Sequence, residues 1–388
     1  MPFFQQKLSD LNRGFFRMKK IVMGIAAVTM AASIFAADFA ARTYMTGSLI
    51  SGSSADGSSV ELLKVNEENQ KDADALVVSA NLDDKAGANF QFWYQYASGE
   101  EKAPKIRNAN LWFKPVDQLK VTVGDVSVAT INETLHYWKD PIGNSISDSR
   151  SWNGKYSSFA TVEGSGAITL DITPVDGLWI GAGVAPGAGT AFLTIPSEGD
   201  ATYNAYGIGA KYDLAGATDL PIVIAASWRD AGKDAVKVLA IGGTYGARYA
   251  EGFYAYLNAR LNFNDGLKGI AIDNHFRFAS GAFEAQLRAP VIIRLAGTDD
   301  DPSYLEFSGK VSYALDGFTP YLLFGSDINN AGEIAFNNFG DDFTLTIQPG
   351  VTCNVGACAL DVAAKIDISS GSEKTIGWSV PFTASVAF

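Results

Sequence analysis

The sequence predicts an all-β chain, a transmembrane antiparallel up-and-down β-barrel of about 16–18 strands. Three observations predict it. Apolar and polar residues alternate with a period of two along most of the chain, the pattern of strands with one apolar and one polar face. The segments between these strands alternate in length, a short turn and then a longer loop. The 388 residues are also 47% hydrophobic and 12% aromatic, yet mean hydropathy is only +0.06. A helical membrane protein is far more apolar on average. A barrel wall is not, because its lipid-facing and lumen-facing residues cancel in the mean.

The chain starts with a segment unlike the rest. Met18, Lys19 and Lys20 open a basic stretch, residues 21–34 are apolar, and Ala36 stands at a small-residue cleavage point. This is the pattern of a secretory signal peptide over residues 1–36, with translation starting at Met18. Residues 37–388 then form a single transmembrane barrel domain. The leader holds five Lys/Arg and one Asp, so the remainder carries 25 positive and 41 negative residues, a net charge of −16. Such an acidic chain is a poor partner for nucleic acid. The uncharged run 177–197 is long enough for a spanning helix, but its five glycines with Pro186 and Pro196 exclude one.

Strands follow in order. Phe90, Phe92, Tyr94 and Tyr96 alternate with Gln91, Trp93 and Gln95. Phe253, Ala255, Leu257, Ala259, Leu261 and Phe263 alternate with Tyr254, Tyr256, Asn258, Arg260 and Asn262. The same period runs through 304–315, 343–348 and 360–367. Short turns bearing Gly, Asp or Pro fall at 83–87, 115–118, 174–177, 215–220, 250–251, 280–281, 316–317 and 354–357. Longer loops fall at 50–72, 98–104, 129–154, 187–201, 230–234, 264–266, 296–302, 328–342 and 369–374. Strict alternation from Phe39 gives about eighteen strands; Asn264, Asp265 and Gly266 equally fit a tight hairpin turn, and losing one hairpin gives about sixteen.

Charge inside the strands follows the same parity. Arg229, Arg260, Arg277, Arg288, Arg294, Lys310 and Lys365 fall on polar faces, with Glu284, Glu306, Asp361 and Asp367. A basic side chain facing lipid at mid-depth costs about 2–4 kcal/mol. These residues are therefore expected to line a lumen. A wall of paired charges that stiffens the barrel is the plainer account of the same pattern.

No cofactor, metal site or catalytic group is expected. Cys353 and Cys358 flank the turn 354–357 and are expected to form a short disulfide clasp rather than half a metal site. His136 lies in a loop and His275 on a polar face, each without an informative Ser or Asp pairing. Gly181, Gly183, Gly187 and Gly189 do not open a helix after a strand, so no nucleotide fingerprint exists.

Two patterns carry a resemblance. Trp378, Val380, Phe382, Ala384, Val386 and Phe388 alternate with polar or small residues and end the sequence on an aromatic. This resembles the C-terminal signal strand of bacterial outer-membrane β-barrels. It implies the outer membrane of a diderm bacterium, contact with outer-membrane lipid, and the barrel-assembly machinery as a partner that reads Trp378, Val380, Phe382, Val386 and Phe388. In addition, Pro115, Val116, Asp117, Leu119 and Gly124 recur as Pro174, Val175, Asp176, Leu178 and Gly183. The first copy, preceded by Trp112, Phe113 and Lys114, is similar to a turn phrase of spirochaetal outer-membrane porin-like proteins.

A barrel of this size encloses water unless plugged. The expected function is a porin-like channel for passive diffusion of ions and small hydrophilic solutes. A surface adhesin or antigen on a closed barrel is an alternative. So is a transporter for an apolar ligand, for which only Trp93, Tyr254 and Tyr256 offer aromatic lining. In general porins, which the chain resembles in architecture, the third long loop folds inward. Here that loop is 129–154, and Glu133, Asp140 and Asp148 are expected to face Arg260, Arg277, Arg288 and Arg294 at a constriction. Homo-trimer and monomer both stay open.

Overall fold

The computed structural model describes residues 37–54, 60–65, 74–81, 84–94, 96–97, 100–101, 105–126, 164–185, 205–218, 220–230, 237–247, 249–263, 266–294, 303–330, 343–370 and 374–387. Eighteen antiparallel spans pair each with the next. In chain order they are β1 (Ala37–Ser53), β2 in two pieces (Val60–Val65 and Asp74–Asn81), β3 (Ala86–Tyr94), β4 (Lys105–Val116), β5 (Leu119–Val126) and β6 (Gly164–Val175). Then come β7 (Leu178–Ala185), β8 (Ala205–Asp213), β9 (Ile222–Asp230), β10 (Lys237–Tyr245), β11 (Gly252–Phe263) and β12 (Leu267–Ser280). The last six are β13 in two pieces (Phe283–Arg288 and Val291–Arg294), β14 (Ser303–Tyr313), β15 (Phe318–Asn330), β16 (Phe343–Val355), β17 in two pieces (Cys358–Ala363 and Lys365–Ser370) and β18 (Lys374–Ala387).

The sheet closes where β1 meets β18, paired from Arg42 opposite Ala387 to Ser53 opposite Gly377 with one shift of register between Ser48 and Ser51. Closure joins the first span to the last, so among the described residues the barrel sheet has no free first or last strand. Beyond the ladder, the Ser54 amide donates to the Ile376 carbonyl at 2.9 Å, and the Ile376 amide donates to Ser54 Oγ at 2.8 Å. Gly52 stands opposite Trp378. A Cβ at Gly52 would come within 2.7 Å of the indole, so glycine is what lets the ring lie across the seam.

Period-two alternation turns into two faces. Leu111, Ile208, Ile224, Ile241, Leu257, Val311, Ile347, Val362 and Ile376 all point outward and are exposed. In water this belt would be an aggregation surface; in lipid it is the solvated face. Phe113, Tyr245, Phe253, Phe278, Phe283, Tyr313 and Phe318 gather on that face beside the short turns. There they form an aromatic girdle, with Tyr245 and Phe253 rings 6.3 Å apart. Gly281 (φ 55°) and Gly317 (φ 82°) take the left-handed conformations of two of those turns.

Two spans are interrupted, each for a backbone reason. In β17, Ala364 lies between strands that carry Pro349 and Pro381, neither of which has an N–H to give. What remains is the Ala364 amide donating to the Pro349 carbonyl at 2.9 Å. In β13 the break falls at Ala289 and Pro290. The Asn274 side chain fills it: Nδ2 donates to the Ala289 carbonyl at 2.6 Å, and the Ala289 amide donates to Oδ1 at 2.8 Å. An amide side chain thus replaces a peptide unit of the ladder.

Several expectations are corrected. Residues 60–65 are strand, paired with Gly47–Gly52 of β1, and not part of a loop spanning 50–72. Cys353 and Cys358 are free thiols: register sets Cys353 against Leu360 and Cys358 against Val355, so they are offset and form no clasp. The turn at 215–220 contains one helical turn, α1 (Ala215–Thr218). The connection at 264–266 does separate β11 from β12, which makes the count eighteen rather than sixteen. Residues 1–36, the loops 129–154 and 187–201, and Phe388 lie outside the described residues.

Candidate functional site: the inner wall

The face opposite the apolar belt is the lumen wall. Arg229, Arg260, Arg277, Glu284, Arg288, Lys310, Asp361, Lys365 and Asp367 all stand on it. Arg294 and Glu306 occupy β13 and β14, with side chains outside the described set, and Glu133, Asp140 and Asp148 lie outside it altogether. Of the strand that ends the chain, Trp378, Val380, Phe382 and Val386 share the outward parity.

The wall divides into two arcs. The first spans β11 to β14 and is built of large polar side chains. Register places Tyr254 opposite Arg277, Tyr256 opposite His275, Asn258 opposite Asp273, and Arg288 opposite Ser308. Arg288 Nε donates to Asp273 Oδ1 at 3.1 Å. Arg277 Nε donates to Glu284 Oε2 at 2.8 Å, and its Nη1 donates to the Ala250 carbonyl at 2.7 Å. His275 Nε2 meets Gln286 Oε1 at 3.1 Å, and the Tyr254 ring packs edge-on to the imidazole with centroids 5.7 Å apart. Arg277 and Arg288 are therefore paired cations, not rungs of an uncompensated basic ladder. Tyr254, Tyr256, Asn258, Asp273, His275 and Arg288 are all at most 2% exposed, so this arc is covered rather than bathed by a wide water column.

The second arc spans β15 to β18 and on to β1, and it is built of small and hydroxyl residues. Thr319, Thr352, Asp361 and Thr383 stand in one row across four neighbouring strands, and Thr46 of β1 is opposite Thr383. One level further from the turns, Tyr321 faces Gly350, Gly350 faces Ala363, and Pro381 faces Ser48. The Tyr321 ring lies across Gly350 where any side chain would collide with it. Its hydroxyl donates to Asp361 Oδ1 at 2.7 Å and accepts from Gln348 Nε2 at 3.3 Å. Lys310 Nζ sits 4.6 Å from the centre of that ring. Higher still, Asp367 accepts from Thr346 Oγ1 at 2.6 Å and pairs with Lys365 at 3.0 Å. Beside the turn 316–317 this arc opens into a recess of about 390 Å³.

Sequence parity singled out the charged members of both arcs. It missed Asp273 and Gln286 as their partners, and the threonine row entirely. The signal for the row was present, because Thr319, Thr352 and Thr383 share the polar parity of their strands; only register shows that they align.

No protein-family model matches the sequence, and no curated protein matches it. Solved structures do. OpdQ of Pseudomonas aeruginosa matches with a TM-score of 0.56 at 9% identity, over 91% of this chain and 98% of that one. OccK2 (OpdF) in complex with glucuronate gives 0.54 at 10%, and OpdK with vanillate gives 0.53 at 11%, each over 91% of this chain and 98% of the other. Both are again from Pseudomonas aeruginosa. At these identities the likeness is one of fold: the same closed barrel wraps nearly the whole length of each chain.

Proposed function

We propose that the chain is an outer-membrane channel of a diderm bacterium through which ions and small hydrophilic solutes diffuse passively. One observation carries the reading: eighteen antiparallel spans close on themselves with apolar side chains outside and charged or hydroxyl side chains inside. Such a wall is soluble only in a bilayer, and what it encloses is polar. Structures of this fold from Pseudomonas aeruginosa hold glucuronate and vanillate, small organic solutes of the size such a lumen admits.

The finer parts of the proposal follow from the sequence. Residues 1–36 are a signal peptide removed on export, and the turn phrase at Trp112–Pro115 marks a spirochaetal-type relative. The assembly machinery reads the last strand through Trp378, Val380, Phe382, Val386 and Phe388. The short turns and their aromatic girdle face the periplasm. Loop 129–154 folds inward and sets Glu133, Asp140 and Asp148 against the basic wall. The barrel works as a homo-trimer or as a monomer.

A second reading has one observation in its favour. His275, Tyr254 and Arg288 are almost wholly buried on the lumen side, as in a closed barrel that serves as an adhesin. Liposome swelling separates the two readings. Vesicles carrying the purified protein swell in isotonic solutions of small solutes if the lumen conducts, and behave as empty vesicles if it is closed.

A further inference from the structure

The two arcs differ in what they can hold. On the first, large polar side chains fill the wall and pair in part with one another. On the second, small residues leave space, and the space has a floor of hydroxyls. Resting on the channel reading, we propose that the recess beside the turn 316–317 is a binding subsite for neutral polyhydroxylated solutes, sugars or sugar alcohols.

Size permits it. A recess of about 390 Å³ falls within the usual range of small-molecule sites, about 300–1,000 Å³. Its lining includes Thr319, Thr352, Asp361, Thr383 and Ser385. Each hydroxyl is at once a donor and an acceptor, as each hydroxyl of a polyol is, so pairing works in either sense along the row. Thr352 Oγ1 makes only a long 3.5 Å bond, to the Thr319 carbonyl, and its geometry leaves it easily redirected. Asp361 adds a fixed acceptor. The Tyr321 hydroxyl holds one of its oxygens at 2.7 Å, so the carboxylate enters the recess already oriented.

Charge argues for a neutral solute. Over this arc Asp361 and Asp367 are offset by Lys310 and Lys365, at 4.6 Å from the Tyr321 ring and 3.0 Å from Asp367. An anion entering the recess would face Asp361. A cation would compete with Lys310 for the same Tyr321–Asp361 unit. A neutral polyol meets neither penalty and needs no charge stripped of water.

The test uses the full-length folded protein and reads binding and current separately. Equilibrium dialysis in detergent measures glucose and mannitol, with gluconate and glucosamine as charged counterparts. Planar-bilayer recordings then measure how glucose interrupts the potassium chloride current. Glucose and mannitol are expected to bind, and better than either charged analogue. Thr352→Ala with Thr383→Ala is expected to weaken glucose binding about tenfold. Thr352→Ser with Thr383→Ser, which keeps both hydroxyls, is expected to retain it. No glucose binding in detergent, preference for gluconate, or equal binding by the alanine variant would overturn the inference. Glucose binding without any salt conductance would instead uphold the subsite and overturn the channel reading.

Discussion

Arg288 and Asp273 meet across β12 and β13 with Nε 3.1 Å from Oδ1, and their side chains are 1% and 2% exposed. The pair sits on the lumen face, next to the break that Asn274 fills on the lipid face. Charge pairing and backbone repair thus occur back to back in the same stretch of wall.

Removing one member of this pair leaves the other charge buried without it. Asp273→Asn is expected to destabilise the barrel by about 3–5 kcal/mol, whereas Asp273→Leu with Arg288→Met is expected to be neutral or stabilising. Urea unfolding of the protein in lipid vesicles checks both. Equal losses for the single and double variants would contradict the pairing.

Asn274→Ala strips the Ala289 amide and carbonyl of their partners on the side facing hydrocarbon. Each orphaned group is expected to cost about 1–3 kcal/mol, since no water is present to replace the amide. Amide exchange at Ala289 should quicken well before that of its neighbours in β12. Unchanged exchange at Ala289 would mean that Asn274 does not replace the ladder there.

Gly52 and Trp378 give the seam a steric test. Gly52→Leu places side-chain atoms in the indole, and folded, heat-modifiable barrel should fall sharply. Adding Trp378→Ala should restore most of it by vacating that space. A double variant no better than Gly52→Leu alone would place the defect elsewhere than at closure.

The face of residues in the clearly alternating strands was legible in the sequence because parity is a local property. Leu257 outside, and Arg277 and Glu284 inside, follow from period two alone. Turns were legible for the same reason: the Gly, Asp and Pro chemistry that reverses the chain at 280–281 and 316–317 is contiguous. What was not legible depends on neighbours distant in sequence. Asp273 and Arg288 are fifteen residues apart, and the row from Thr319 to Thr383 spans four strands, so only register reveals them. The interruption of β17 needed Pro349 to fall beside Ala364 and Pro381 to fall beside Ala363 on the other flank. The thiols of Cys353 and Cys358 lie close in sequence, but hairpin register keeps them offset.

The pairing of Arg277 with Glu284 is expected to shape ionic selectivity. Arg277→Gln alone leaves an unmatched carboxylate in the lumen and should move the reversal potential in a salt gradient toward cations. Arg277→Gln with Glu284→Gln should leave it near that of the parent protein. Opposite behaviour, with the double variant shifted as far as the single, would mean that the two charges act independently of one another.

If this closed wall surrounds a conducting lumen, single-channel recording across a planar lipid bilayer shows it. Added at low concentration, the purified folded protein should produce discrete, uniform current steps whose size grows with salt concentration. Stable insertion of folded protein with no steps at any salt concentration would contradict the account and leave a closed barrel in its place.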